Sequence, residues 1–385
     1  MSEAAEKKAE ESAARHSPLE DAHRRAGGVL VEREGCVVPA RYGDAAAEYE
    51  AVRSAAGLSD LSQRGRVEVS GGEAVQFLNG MLTNDVAGLA EGAWMHAAFP
   101  NPQGRLVAAV RVMRRGGAFL FDTETATYPT VLKHLERFTL AGDFRVRDLT
   151  AETATLSVQG PRASEVVRAA LGDAAAETER GLVSTFEFAG AEVTAIRATH
   201  TAEDGFDLFV SSDAAVSLWE ALTAAGARPA GADALEVLRV EAGLPRYGVD
   251  ASEANVVTEV LDEAEAVSYT KGCYAGQEII ARIHWRGHVA KRLAGVVFER
   301  DFEPPADTRL LDCAEGREAG RVTSTAFSPR LRRQVALALV KYDFLKPGTE
   351  LKVSVGGEQV CAAHVADLPL VRGSWYAESH GEQSE

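Results

Sequence analysis

No C-x-x-C pair occurs in this chain; its four cysteines, Cys36, Cys273, Cys313 and Cys361, stand far apart. That spacing excludes a zinc ribbon and a thioredoxin-type redox site, and scattered single thiols fit a reducing, cytosolic setting. Long apolar runs are missing too. Stretches such as Val335–Val340 are strand length, far below the ~20 residues of a membrane span, so no membrane partner is expected. The first 28 residues mix Ala with Glu, Lys and Arg and hold no apolar core of a secretory signal. Cationic excess is absent as well. Lys and Arg number 41 against 57 Asp and Glu, a net charge of −16, which argues against general nucleic-acid binding.

What is there is globular. The hydrophobic share is 46% and the charged share 25%, and 385 residues exceed one ordinary core, so two or three domains are expected. Residues 1–28 read as a polar arm and 371–385 as a polar tail. Between them, Arg66–Val69 alternates as a strand and leads to Ser70-Gly-Gly-Glu73, the spacing of a capping box, and to a helix burying Phe77, Leu78, Met81 and Leu82. Thr155–Val158, Gln159-Gly-Pro161 and a helix bearing Val166, Val167, Ala170 and Leu171 repeat the shape, with Pro161 at the first helical position and Gly172 as the stop. Gly71 and Gly160 occupy equivalent places, so two related α+β units are expected. Further helices start near Asp213 and run through Leu235 and Leu238 to Gly243. Beyond Lys291 short β-rich segments divided by Pro and Gly predict a small barrel.

Lys271-Gly-Cys-Tyr-Ala-Gly-Gln-Glu278 is the densest local signal. Two glycines permit a tight turn or a close approach, and Gln277 opens a helix. A thiol just before a helix N-terminus and two residues from a lysine has its thiolate favoured, which makes Cys273 a candidate reactive thiol; a buried structural cysteine, or a soft ligand shared with Cys313 and Cys361, is the alternative. In Arg282-Ile-His-Trp-Arg-Gly-His288 the cations alternate and would share one face if extended, either as an anion site or as a solvated basic face.

Lys271–Glu278 resembles the K-G-C-Y-x-G-Q-E signature of the YgfZ family. Gly57–Ser62, Leu82–Asp85, Gln159–Ala163, Thr201–Phe206 and Leu238–Leu244 are similar to the wider glycine cleavage T-protein superfamily. The resemblance spans roughly residues 40–365. It implies a three-lobed α+β fold around a central folate channel: residues 29–290 as the folate-binding region in two related subdomains, and 291–370 as a C-terminal β-barrel. It implies tetrahydrofolate, or a one-carbon-substituted folate, as cofactor. Glu203 and Arg239 stand where the superfamily's folate-binding set is expected, with Tyr274, Gln277 and Glu278 joining them from the signature. A carboxylate accepts both hydrogen bonds of an amino-pyrimidine edge, and a guanidinium suits a pterin carbonyl or glutamyl carboxylates. Cys273 and Lys271 are the catalytic candidates.

One departure stands against these matches. Aminomethyl-transferring T-proteins carry an Asp pair a few residues after a turn glycine; here those positions are Ala108 and Ala109. Alanine cannot accept a proton. Three functions therefore stay open. The first is a tetrahydrofolate-binding accessory protein supporting iron–sulfur enzymes, with iron–sulfur assembly or client proteins as partners. The others are a folate-dependent aminomethyltransferase and a non-catalytic scaffold.

Overall fold

The computed structural model describes residues 14–377 except 141, 300–303, 306 and 356–357. Three lobes make up a mixed α/β molecule. In the first, an antiparallel sheet runs in the order Ala93–Pro100, Leu106–Arg115, Ala118–Thr123, Gly65–Ser70, Arg145–Asp148. In the second the order is Val183–Phe188, Ala191–Arg197, Gly205–Ser211, Thr153–Gln159, Gly57–Asp60, with Arg228–Pro229 parallel at the edge. The four leading strands of each sheet are laid out alike. In each, one strand, Gly65–Ser70 or Thr153–Gln159, runs into a glycine with left-handed φ, Gly71 (+118°) or Gly160 (+142°), and then a helix. A Cβ at Gly71 would lie 2.1 Å from the Asp143 carbonyl oxygen and one at Gly160 2.3 Å from that of Ala55, so both the backbone angle and the space require glycine.

Each sheet buries one face under its helices. Leu78 and Leu82 pack into the first core, Val166, Val167, Leu218 and Leu222 into the second. The helix starts differ from those expected. Ser70 is the last strand residue, and Glu73 is itself the N-cap of Ala74–Met81; its carboxylate accepts the Asp143 N–H at 2.8 Å instead of closing a capping box. Pro161 precedes the N-cap Arg162, while Gly172 ends that helix at φ +91°. The other faces of the two sheets meet each other through Trp94, Met113 and Leu120 against Ile196 and Phe209.

The third lobe is a closed barrel of six strands, ordered Lys291–Phe298, Arg333–Lys341, Glu318–Ser328, Arg309–Asp312, Glu350–Val355, Glu358–Ala366. Closure leaves no unpaired edge. It docks against the helix Ala232–Ala242, whose end is set by Gly243 in the left-handed region.

The two polar ends pack more than their composition predicts. Leu19, Ala22 and His23 are buried around the short helix Glu20–Arg25. At the other end Ser374–Tyr376 forms a helical turn that donates to Glu203. The expected disorder of residues 1–13 and 378–385 lies outside the described residues. Cys313 is disulfide-bonded, so the thiols are not all free, contrary to the usage inferred for a reducing setting. Cys36 is buried and Cys273 exposed.

Candidate ligand cleft

A cleft of about 270 Å³ opens where the hairpin of Val29–Arg33 and Cys36–Arg41, both sheets and the Ala232–Ala242 helix converge. Its apolar wall includes Val38, Pro39 and Leu61; its polar lining includes Arg64, Glu124, His200, Glu236, Arg239 and Arg246.

Charged residues embedded in apolar strands build the floor. Arg111 faces the second sheet; its Nε donates to Asp122 at 2.9 Å and its Nη1 to Asp207 at 2.5 Å. Arg64 grips Asp122 from the cleft side, Nη2 to Oδ2 at 2.6 Å. His200 Nε2 lies 2.8 Å from Asp207 Oδ2. Both aspartates are fully buried. Burial alone would raise the Asp122 carboxyl, but Arg111 and Arg64 outweigh it and hold it below the usual range.

On the wall, Arg239 is fastened by Glu236, by Asp250 at 2.6 Å and by Ser324 of the barrel at 2.6 Å. Burial would lower its guanidinium, yet these carboxylates keep it above its ordinary value. Glu124 differs. Its Oε2 accepts the Tyr247 N–H at 2.9 Å, and its Oε1 has no hydrogen bond among the described residues. Burial pushes this carboxyl up, partly offset by Arg64. Arg246 Nε is buried with no partner among the described residues. The cleft thus offers an acceptor without a partner, Glu124 Oε1, on a lining that also holds the guanidiniums of Arg239 and Arg246, groups that an amide-like heterocycle edge can use. Its volume sits near the lower edge of the ~300–1,000 Å³ common for small-molecule sites, enough for a fused two-ring head with a tail outside. A pterin head fits that donor set and size.

Of the residues singled out in the sequence, only Arg239 lines the cleft. Glu203 is buried elsewhere: Arg53 binds its Oε1 at 2.9 Å, and the Ser374 N–H and hydroxyl both donate to Oε2 at 2.7 Å. Its carboxylate is spent on the chain itself. Cys273 is exposed and is not among the residues lining the cleft. Lys271 Nζ turns to the carbonyls of Leu82 (2.8 Å) and Asn84 (2.6 Å), capping the end of the Ala74–Met81 helix. Tyr274 is buried among Val240, Val257 and Ile280, its hydroxyl without a partner among the described residues. Gln277 opens the helix Gln277–Arg286, and Glu278, exposed, pairs with Arg282 at 2.6 Å. The helix carries Arg282, His284 and Arg286, so these cations do not form the extended face considered above. His288, beyond the helix, stacks on Tyr342. Gly276 has a packing reason: at φ +75° a Cβ there would sit 2.3 Å from the Asn101 carbonyl oxygen. No group of three or more metal-ligating side chains occurs among the described residues.

The residues missed were Arg64, Arg111, Asp122, Glu124, His200 and Asp207. Three of them carried a signal. Arg111, Asp122 and Asp207 interrupt otherwise apolar strands, and a charge at such a place must be paired in the interior. Ala108, one of the two positions lacking the acid, is fully buried with Val110 and Phe121 in the first core.

Fold and cleft together define a three-lobed α+β protein with a cleft between its lobes and a C-terminal barrel. Residues 19–261 match the GCVT N-terminal domain and residues 291–371 the glycine cleavage T-protein C-terminal barrel domain. The chain is similar to an aminomethyltransferase of Rubrobacter xylanophilus, 34% identical over 93% of this chain and 94% of that one. One from Thermus thermophilus is also 34% identical, over 92% and 98% respectively. The crystal structure of glycine cleavage system aminomethyltransferase T from Bartonella henselae superposes with a TM-score of 0.84, at 24% identity, covering 94% of this chain and 99% of that one. The chain belongs to the glycine cleavage T-protein family. No helix among the described residues is long and apolar enough to cross a membrane.

Proposed function

We propose that this protein binds a reduced folate in the interlobe cleft and acts in one-carbon transfer of the aminomethyltransferase type. The observation that carries this reading is the cleft itself, lined by Arg239 and Arg246 and with Glu124 Oε1 unpaired at its wall. Its relatives' shared name, aminomethyltransferase, supports the same class of reaction.

In this reading residues 29–290 hold the ligand and the barrel, 291–370, braces them by fixing Arg239 through Ser324. Glu124 accepts from the heterocycle edge. Arg246 donates to its carbonyl side, and Arg33, at the mouth, meets the anionic tail. A bound reduced folate supplies ring nitrogens able to take up a one-carbon unit. The floor of Arg111, Asp122 and Asp207 holds the lobes in fixed register around it.

Calorimetry with tetrahydrofolate, followed by detection of methylenetetrahydrofolate from an aminomethyl donor, tests the proposal. Binding with turnover supports it; absence of binding overturns it.

A second reading keeps the iron–sulfur role of the YgfZ branch. It rests on Lys271–Glu278 and the accessible Cys273 thiol; the relatives' names give it no support. If Cys273→Ala restores iron–sulfur enzyme activity in a deletion strain as well as the unaltered protein does, this reading falls.

A further inference from the structure

Asp207, buried beneath the cleft, orients a histidine that no other part of the site uses. His200 lines the cleft with its side chain 24% exposed, and its Nε2 is held 2.8 Å from the wholly buried Asp207. Arg111 donates to the same Asp207 oxygen from the opposite sheet. A carboxylate accepting at Nε2 sets the tautomer: the proton sits on Nε2, and Nδ1 is left as the basic nitrogen. Nδ1 has no hydrogen bond among the described residues.

We infer that His200, oriented by Asp207, is the proton-carrying residue of the cleft. This deepens, and rests on, the folate-dependent transfer reading, and it supplies the base that Ala108 and Ala109 do not. Nδ1 takes the proton that leaves an amine nitrogen as its new C–N bond forms. The transferred carbon's bond to its carrier breaks with the electron pair going to the carrier atom, and the imidazolium delivers its proton there. Atoms and charge balance without an oxidant or a metal.

The surroundings suit a histidine that charges transiently. Burial would raise the Asp207 carboxyl, but His200 and Arg111 more than offset it and hold it well below the ordinary range. It therefore stays ionised and steadies the imidazolium, the part an aspartate plays beneath a catalytic histidine. On the first sheet Arg111 shares the Asp207 oxygen with His200, and His96 is close enough for the two imidazoles to repel when charged. Glu124 and Arg239 face His200 across the cleft.

The test compares unaltered protein, His200→Gln and Asp207→Asn. Tetrahydrofolate affinity is read by calorimetry, and the pH profile of kcat by methylenetetrahydrofolate formation. His200→Gln is expected to bind within about 3-fold of the unaltered protein while kcat falls on the order of 100-fold and the acidic limb of its profile disappears. Asp207→Asn should keep a limb but displace it. Nitrogen NMR of the unaltered protein gives a second readout, a proton on Nε2 of His200 at neutral pH. A retained limb or unchanged kcat in His200→Gln, a proton on Nδ1, or folate binding without any turnover overturns the assignment. Failure of the unaltered protein to bind tetrahydrofolate defeats the functional reading itself, and the calorimetry separates that result from the others.

Discussion

Arg111 on the first lobe's sheet donates to Asp207 on the second lobe's sheet at 2.5 Å, and the two sheets face each other around that contact. The guanidinium is 6% exposed and also holds Asp122, so one cation serves two buried carboxylates.

Arg111→Met should therefore destabilise the protein by about 3–5 kcal/mol, the cost of leaving a buried charge without its partner. Urea unfolding reads it. Adding Asp207→Asn to Arg111→Met should recover part of the loss, because the pair is coupled. Strictly additive losses would contradict the geometry.

Glu203 and Glu124 should separate stability from binding. Glu203→Gln leaves Arg53 and Ser374 underpaired and is expected to lower the melting temperature while folate affinity stays within about 2-fold of the unaltered protein. Glu124→Gln should weaken tetrahydrofolate about 10-fold, a loss of ~1.4 kcal/mol, typical of a hydrogen bond to a charged group. The Glu124 carboxyl is raised above its ordinary 4.5 by burial. Its stabilising contribution is complete below 4.5 and is lost as pH rises through the raised value. Urea midpoints of Glu124→Gln should consequently fall less than those of the unaltered protein as pH climbs from 4.5.

Burial lowers Lys271 from 10.5 to about 8. Competitive acylation should find this amine half-titrated near pH 8, well ahead of the surface lysines. Because the folded value is depressed, its contribution to stability is complete above 10.5 and lost as pH falls through about 8. Lys271→Met should flatten that part of the stability profile.

Cys273 is exposed and Cys36 is 2% exposed. Iodoacetamide should modify Cys273 in the native protein and reach Cys36 only on unfolding, as mass spectrometry of digests would register. Cys273→Ser should change stability by less than about 0.5 kcal/mol and leave tetrahydrofolate affinity unaltered, since the thiol does not line the cleft.

Much of the scaffold was legible because it follows local rules. Gly172 and Gly243 ended their helices, and the alternation at Arg66–Val69 gave a strand. The cleft was less legible because its parts come from separate stretches. Arg64, Glu124, His200 and Arg239 meet only after both sheets fold together. Within Thr201–Asp207 the two acids go to different places. Glu203 belongs to the loop before the strand and points to the tail, whereas Asp207 alternates with Phe206 and Leu208 and so faces the opposite sheet. Strand periodicity marks Asp207 as facing the other sheet; nothing local marks where the Glu203 loop docks.

The Arg53 knot constrains how this molecule could be recombined with its kin. Arg53 ties Glu203 to Glu241, and each acid takes a hydroxyl from residues beyond 290: Ser374 for the first, Ser328 for the second. A chimera fusing residues 1–290 to a foreign barrel would keep the Arg53 pairs but leave each carboxylate short of one buried hydroxyl donor unless the donor barrel brought alcohols to the same two spots. Barrel, tail and second lobe must therefore be exchanged as one piece.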